Sequence, residues 1–178
     1  MIRTVVALSL SGLALAACAT HQQSSEGASL AGRAMLMSPT GSPIGEASLH
    51  RSGDALFLRI EARGLPAGPK GTHLHMTGLC EAPGFASAGG HLNPGGRQHG
   101  SLNAQGSHLG DLPNIVIAPD GSGILEVPLP GPADTVLAQI FDADGAAVVI
   151  HASPDDQQTD PSGNSGARIA CGVMTRVP

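Results

Sequence analysis

Apolar and polar residues alternate along residues 56–62, which read Leu-Phe-Leu-Arg-Ile-Glu-Ala. In an extended segment this period of two places Leu56, Leu58 and Ile60 on one face, because successive side chains of a strand point to opposite sides. The alternation predicts a half-buried β-strand. Similar short apolar runs, each of which also predicts a strand, occur at residues 44–49, 114–118, 124–129, 136–141 and 146–151.

Turn-forming sequences separate these runs and indicate how the strands connect. Residues 119–121 (Pro-Asp-Gly) and 142–145 (Asp-Ala-Asp-Gly) combine residue types that favour tight turns. The sequence shows no apolar spacing typical of a helix of ordinary length. Many short strands joined by turns predict an all-β fold, a Greek-key β-sandwich or flattened β-barrel of about eight antiparallel strands. We expect two long functional loops in it, over residues 76–111 and 152–167.

The composition determines how such a domain builds its core. The chain has 178 residues, of which 25 are glycine and 14 proline, with three phenylalanines and neither tryptophan nor tyrosine. The core must therefore consist of Leu, Ile, Val and Ala side chains. The roughly 150 residues that follow the N-terminal segments are enough for one domain. The sequence contains no internal repeat and no second domain boundary.

The chain begins with the pattern of a cleaved export signal. Arg3 supplies positive charge, and the apolar residues 5–17 are too few to span a bilayer. Residues 15–18, Leu-Ala-Ala-Cys, resemble a bacterial lipobox, which implies cleavage before Cys18 and acylation of its thiol. More than one acyl chain makes membrane anchoring stable. A plain secretory signal cleaved after Ala17, which would leave the Cys18 thiol free, is the alternative.

These features divide the chain into three parts. They are a lipoprotein signal peptide over residues 1–17, a lipidated cysteine with a flexible tether over residues 18–28, and one domain over residues 29–178. The tether is short and polar, so it would hold the domain within about 40 Å of the membrane. Ala19, not aspartate, follows the cysteine, which favours a periplasmic location at the outer membrane over one at the inner membrane.

Six of the eight histidines, together with one aspartate, have the spacing of a metal site. His73 and His75 are separated by one residue, so in an extended segment both imidazoles leave the same face. The other groups follow at irregular intervals, mostly in Gly-rich sequence: His91, His99, His108, Asp111 and His151. Imidazole commonly binds copper and zinc, and a carboxylate beside imidazoles suits zinc. Seven such groups exceed what one ion needs.

Several sequence blocks, in this order, resemble the bacterial periplasmic copper,zinc superoxide dismutase family from about Ala28 to Pro178. They are GTHLH at 71–75, AGGHLNP at 88–94, HG at 99–100, HLGDLPN at 108–114, VIHA at 149–152 and GNSGARIACG at 163–172. The resemblance implies an enzyme that dismutates superoxide to oxygen and hydrogen peroxide, with one copper and one zinc per subunit. A homodimer and a monomer are both compatible with it.

Carried over position by position, the resemblance implies the metal ligands. Copper would be bound by His73, His75, His91 and His151, and zinc by His91, His99, His108 and Asp111. In this arrangement His91 would bridge the two metals and also donate a proton during catalysis. Every ligand position of the family is filled in this chain.

The resemblance also implies three supporting features. Cys80 and Cys171 would form a disulfide, which persists only outside the cytoplasm. Asp155 would link a copper ligand to a zinc ligand through hydrogen bonds, with Asp156 as the competing candidate. Arg168 would be catalytic, since its guanidinium would bind the superoxide anion beside copper.

Two positions depart from the family's pattern, and neither is a ligand. Lys70-Gly71-Thr72 stands where relatives commonly carry His-Gly-Phe, and Gln157 stands where many bacterial relatives carry an aromatic residue. The formal net charge of −5 repels an anion at long range. Lys70 and Arg97 are therefore candidates for a local positive field that attracts superoxide.

Other functions were weighed against dismutation. The acidic balance and the absence of a basic cluster exclude nucleic-acid binding. A non-catalytic copper-binding or copper-donating protein on the same fold is the first alternative, and a structural lipoprotein that retains only zinc is the second. The intact copper-ligand positions and the arginine at position 168 favour the enzyme over both.

Overall fold

The computed structural model describes residues 27–178, and the predicted signal peptide, the lipidated cysteine and most of the tether lie outside this range. Within it the chain forms ten β-strands, one α-helix and one 3₁₀ turn. The strands are β1 (Ser29–Met37), β2 (Pro43–Ser52), β3 (Ala55–Ala62), β4 (Gly68–Lys70), β5 (Thr72–His75), β6 (Ile115–Ile117), β7 (Gly123–Leu129), β8 (Ala147–His151), β9 (Arg168–Val173) and β10 (Thr175–Arg176). The predicted all-β fold is confirmed.

The strands close into a flattened barrel. The main antiparallel sheet has the order β5-β8-β9-β1-β2-β3-β7, and β10 also pairs with β1. A separate ribbon joins β4 to β6. Because β6 contacts β7, and a single residue separates β4 from β5, this ribbon lies between the two edge strands of the main sheet.

Strand β3 illustrates how the alternation of the sequence produces the core. It pairs in continuous register with β2 on one side and β7 on the other. Leu56, Leu58 and Ile60 are fully buried, whereas Arg59 is half-buried and pairs with Glu126. Burial of each such aliphatic side chain stabilises the fold by about 1.5–3 kcal/mol. As predicted, the main core is built from aliphatic side chains.

The strand prediction for residues 136–141 is wrong, because Ala133–Ile140 forms the helix α1. Its buried residues are Ala133, Val136, Leu137 and Ile140, which follow the spacing of one helical face. A short apolar run fits a strand and a buried helix equally well by periodicity alone. The helix begins where the Ala133 N–H donates to Asp54 in the turn between β2 and β3, a contact between distant parts of the chain.

Two long loops extend from the barrel at the predicted places. Between β5 and β6 the chain contains only the 3₁₀ turn Ala86–Ala88, and between β8 and β9 it has no regular element. Neither of the helical segments in residues 27–178 is long and apolar enough to cross a membrane.

Candidate metal centre

Paired strands and two β-bridges bring the candidate ligands together. His73 and His75 lie on β5, and His151 ends the adjacent strand β8. Isolated β-bridges hold the first long loop against β5, so that His91 lies beside His75 and Asp111 lies beside His73. Groups far apart in sequence therefore converge at one end of the barrel.

Four buried imidazoles form the first donor set, which contains His73, His75, His91 and His151. Their donor atoms lie within 4.8 Å of one another. One nitrogen of each ring has no hydrogen-bond partner: His73 Nδ1, His75 Nε2, His91 Nε2 and His151 Nε2. Unpaired buried polar atoms are unfavourable, so four of them in one place fit a cation with affinity for nitrogen.

Backbone carbonyls behind two of these rings select their tautomers. His75 Nδ1 donates to the Gly89 carbonyl at 2.9 Å, and His151 Nδ1 donates to the Gly166 carbonyl at 3.1 Å. A neutral imidazole has a single N–H, so the opposite nitrogen of each ring carries a free lone pair. This is the orientation that a metal ligand requires.

The second donor set contains His91, His99, His108 and Asp111. Asp111 Oδ1 lies 2.9 Å from His91 Nδ1 and 3.0 Å from Nδ1 of both His99 and His108. The Nδ1 atoms of His91 and His108 are 3.4 Å apart. Four ligands at the usual zinc distance of about 2.0–2.1 Å on a tetrahedron are separated by about 3.3 Å. The four groups therefore fit one tetrahedral zinc ion without an open position.

His91 belongs to both donor sets. Its Nδ1 lies among the atoms of the second set, and its Nε2 is one of the four unpaired nitrogens of the first. The ring stacks on His73 with their centroids 3.8 Å apart. One imidazole with a nitrogen in each set can join two metal ions.

Asp155 connects the two donor sets from behind. Its Oδ2 accepts a hydrogen bond from His73 Nε2 at 2.6 Å, and its Oδ1 accepts one from His99 Nε2 at 3.0 Å. Asn114 fixes the Asp155 backbone through a reciprocal pair of hydrogen bonds at 2.8 and 2.9 Å. The competing candidate, Asp156, accepts hydrogen bonds from residues of its own loop. The structure thus places Asp155, not Asp156, between the two sets.

The close approach of the second loop to Asp155 requires a glycine. Gly163 has a φ of +63°, and a Cβ atom there would lie 1.8 Å from Asp155 Oδ1 and 2.7 Å from His99 Nε2. Any side chain at this position would displace the carboxylate that connects the donor sets.

Arg168 lies beside the first donor set. Its Nη1 donates to the Phe85 carbonyl and its Nη2 to the Gly89 carbonyl, each at 2.6 Å. The Gly89 carbonyl is also the acceptor for His75 Nδ1, so the cation and an imidazole share one oxygen. Arg168, His91 and His151 line the same open pocket. An anion that enters this pocket meets the guanidinium next to the unpaired nitrogens.

The two other candidate cations lie in different environments. Arg97 lines the pocket, and its carbonyl accepts a hydrogen bond from His108 Nε2 at 3.1 Å. Lys70 is buried, and its ammonium donates to the Ala152 carbonyl at 3.0 Å instead of lining the pocket. Of the two, only Arg97 is placed to act directly on an anion in the pocket.

The predicted disulfide between Cys80 and Cys171 is present. Cys171 is fully buried in a small second core with Phe85, Ala88 and Val149, which underlies the first loop. The bond therefore fastens to β9 the loop segment whose carbonyls hold Arg168.

Burial keeps the candidate imidazole ligands neutral. It lowers the pKa of His73 to about 3, that of His75 to about 2 and that of His151 to about 4. For Asp111, burial alone would raise the pKa, but hydrogen bonds from His91 and from backbone N–H groups outweigh it and lower the pKa. Neutral imidazole and ionised carboxylate are the forms that bind metals.

We expect the metal-free protein to lose stability as the pH falls from about 6.5 to about 4.5. The unfolded chain protonates its histidines near pH 6.5, whereas His73, His75 and His151 stay neutral in the folded protein. The unfolded state then binds more protons, so the free energy of unfolding falls with pH, by about 2–3 kcal/mol per histidine over this range.

Urea unfolding of the metal-free protein at several pH values measures this effect. His75→Gln should make the pH dependence shallower, whereas His50→Gln, on strand β2 away from the donor sets, should leave it unchanged. A free energy of unfolding that is independent of pH in this range would contradict the expectation.

Sequence reasoning missed the groups that orient the ligands. Gly89, Gly166 and Arg97 contribute backbone carbonyls, which carry no sequence signal. Asn114 is different, because it belongs to the recognised block 108–114, where a polar side chain after a proline invites a search for its partner. Its role nevertheless depends on a residue 41 positions away.

A flattened Greek-key barrel that carries a four-imidazole site and a tetrahedral zinc-type site with one shared histidine defines a class of binuclear metalloprotein. Comparison with protein-family models matches "Copper/zinc superoxide dismutase (SODC)" over residues 44–174. The chain belongs to the copper/zinc superoxide dismutase family. It is accordingly an enzyme of the superoxide dismutase type, and its cofactors are copper and zinc.

Named relatives and a solved structure agree with this membership. The chain is 41% identical over 150 residues to superoxide dismutase [Cu-Zn] 2 of Aquifex aeolicus, covering 82% of this chain and 86% of the relative. It is 37% identical over 147 residues to superoxide dismutase [Cu-Zn] of Caulobacter vibrioides, covering 79% and 83%. The crystal structure of a SOD-like protein from Bacillus subtilis superposes with a TM-score of 0.73 at 37% identity, covering 82% of this chain and 99% of the other.

Proposed function

We propose that the protein dismutates superoxide to oxygen and hydrogen peroxide at an imidazolate-bridged copper-zinc centre in the cell envelope. The observation that carries the proposal is the placement of His91, which has one ring nitrogen among the zinc-type donors and the other among the unpaired nitrogens. A ring that binds a metal through both nitrogens has lost both protons. His91 would therefore bridge the metals as an imidazolate.

The chemistry of each donor set assigns its metal. Four imidazoles that adjoin an open pocket suit copper. Three imidazoles and one carboxylate in a closed tetrahedron suit zinc in a structural and electrostatic role. In this assignment copper is held by His73, His75, His91 and His151, and zinc by His91, His99, His108 and Asp111.

The residues around the pocket supply binding and protons. Bound copper supplies one-electron redox chemistry, in which one superoxide is oxidised to oxygen and a second is reduced to peroxide. Arg168 binds each superoxide anion through its guanidinium, which the Phe85 and Gly89 carbonyls hold in place. His91 Nε2 takes up one proton and delivers it to the peroxide, and the second proton enters from solvent through the open pocket.

Asp155 keeps these parts in register. Its carboxylate holds both the His73 and the His99 ring, so their Nδ1 atoms face the two metal sites. Hydrogen bonds from the two rings outweigh burial and lower its pKa, which keeps it ionised. Such outer partners fix the tautomer and direction of a ligand.

Metal analysis combined with an activity assay tests the proposal. After reconstitution, the purified protein should hold one copper and one zinc per chain and should show cyanide-sensitive superoxide dismutation. Copper-replete protein without activity would instead support a non-catalytic copper-binding or copper-donating function. Protein that retains zinc but no copper would support a structural role.

The location in the envelope is proposed from the N-terminal sequence. Residues 15–18 resemble a lipobox, and the Cys80–Cys171 disulfide suits an oxidising compartment. A lipid anchor at Cys18 would hold the enzyme at the periplasmic side of the membrane, and we infer the outer membrane from Ala19.

Replacement of Cys18 by serine should abolish lipid attachment. We expect fatty-acid labelling to disappear and the protein to move from the membrane to another fraction, since the thiol is the acylation site. Dismutase activity per mole of metal-loaded enzyme should stay unchanged, because the domain begins after the tether. Equal fatty-acid labelling of the parent and the variant would contradict the anchor, and an unlabelled parent would support a plain secretory signal.

A further inference from the structure

Lys70 is a buried cation that the proposed reaction does not use. It is the only lysine of the chain, and it lies at the end of β4 with 8% of its surface exposed. In residues 27–178 no carboxylate forms an ion pair with it within 4.0 Å, and its ammonium donates to the Ala152 carbonyl at 3.0 Å. Burial of an ammonium group is unfavourable, so we looked for what this hydrogen bond holds in place.

Lys70 and Gly71 together bind three consecutive residues at the start of the second loop. The His151 N–H donates to the Gly71 carbonyl, and the Gly71 N–H donates to the Ser153 carbonyl, each at 2.8 Å. The Lys70 ammonium bonds the residue between them, Ala152. It is the one hydrogen bond of the three that a side chain makes, so it is the one that a substitution can remove.

The same three residues are held from the opposite side by the end of the second loop. Backbone hydrogen bonds join Ala152 and Ser153 to residues 165–167. His151 Nδ1 donates to the Gly166 carbonyl in that segment. The direction of the His151 ring thus depends on a short strand of backbone that is fixed on both sides.

We infer that Lys70 is a positioning residue for His151, the ligand that completes the copper site. Removal of the ammonium leaves the Ala152 carbonyl without this partner inside a partly buried network. The peptide next to His151 can then rotate, which moves His151 Nε2 relative to the other three unpaired nitrogens. This inference rests on the copper assignment of the proposed function.

A positioning role and an anion-steering role predict different results. A steering charge acts through the field in the pocket, so its removal changes the dependence of the rate on salt. Lys70 is buried and away from the pocket lining, so its removal should leave the salt dependence unchanged. It should instead alter the geometry and affinity of the copper site.

The test compares Lys70→Met, which keeps the length of the side chain without a donor, with Lys70→Arg, which keeps donors. In Lys70→Met we expect the copper dissociation constant to rise about 10- to 100-fold and the electron paramagnetic resonance spectrum of bound copper(II) to change, with zinc content unchanged. In the metal-free variant, amide hydrogen exchange at residues 151–153 should become faster. Lys70→Arg should restore the parent spectrum.

Thr72→Val is the matched control. The Thr72 hydroxyl is buried in the same segment and donates to the Lys70 carbonyl at 3.1 Å, but the second loop is not its partner. Its loss should leave the copper spectrum and hydrogen exchange at 151–153 unchanged. Parent-like copper affinity and exchange in Lys70→Met, or the same change in Thr72→Val, would overturn the inference. If the parent itself gave no copper(II) spectrum, the proposed function would fail instead.

Discussion

Replacement of His91 by glutamine is expected to reduce the dismutation rate by more than about 100-fold and to weaken the binding of both metals. Loss of an outer hydrogen-bond partner of a metal ligand already costs about 10- to 100-fold, and His91 is placed to be a ligand of both ions. Its two nitrogens lie in different donor sets. The variant also lacks the nitrogen that would hold the proton for peroxide.

His108→Gln separates the shared ligand from the zinc-type ligands. His108 lies in the second donor set only, so its substitution should lower zinc content while copper keeps four imidazoles. His91→Gln should instead change both the zinc content and the copper(II) spectrum. His50→Gln serves as a control for loss of a histidine elsewhere. A His91→Gln protein with the parent's rate would sink the bridged centre.

Removal of the disulfide is expected to destabilise the metal-free protein by about 4–5 kcal/mol. Cys80 and Cys171 are separated by 91 residues, and the cross-link of such a long loop restricts the unfolded chain strongly. The variant Cys80→Ser with Cys171→Ala keeps a small apolar side chain at the fully buried position 171. Urea unfolding of oxidised parent and variant, both without metals, measures the difference.

A functional effect should accompany the loss of stability. The bond fastens the segment whose Phe85 and Gly89 carbonyls hold Arg168, so the metal-loaded variant should bind anions such as azide more weakly. A reducing agent should destabilise the parent but leave the variant unchanged, which controls for the substitutions themselves. If parent and variant unfolded at the same urea concentration, the bond would contribute no net stability.

The strands were predictable where one face of the segment meets the core and the other does not. The alternation of residues 56–62 marks β3, because burial selects every second side chain. Residues 136–141 carry apolar side chains whose period is too short a sample to distinguish a strand from a helix. Packing of α1 on the barrel and the bond from Ala133 to Asp54 decide that case.

The candidate ligands were predictable because metal chemistry restricts residue type. Only a few side chains bind copper or zinc, and their order along the chain is visible in the sequence. The choice between Asp155 and Asp156 was not visible, since adjacent carboxylates are chemically alike. It is decided by Asn114, which holds the Asp155 backbone from the other long loop.

The sequence by itself therefore determined the all-β class, the family, the paired cysteines and the set of metal-binding side chains, because each depends on residue type and order. The tertiary structure decided which nitrogen of each ring is free, which carboxylate joins the two donor sets and where Lys70 points. These properties arise from backbone carbonyls and from contacts between distant segments. A carbonyl group is common to all residues, so its position exists only in the folded chain.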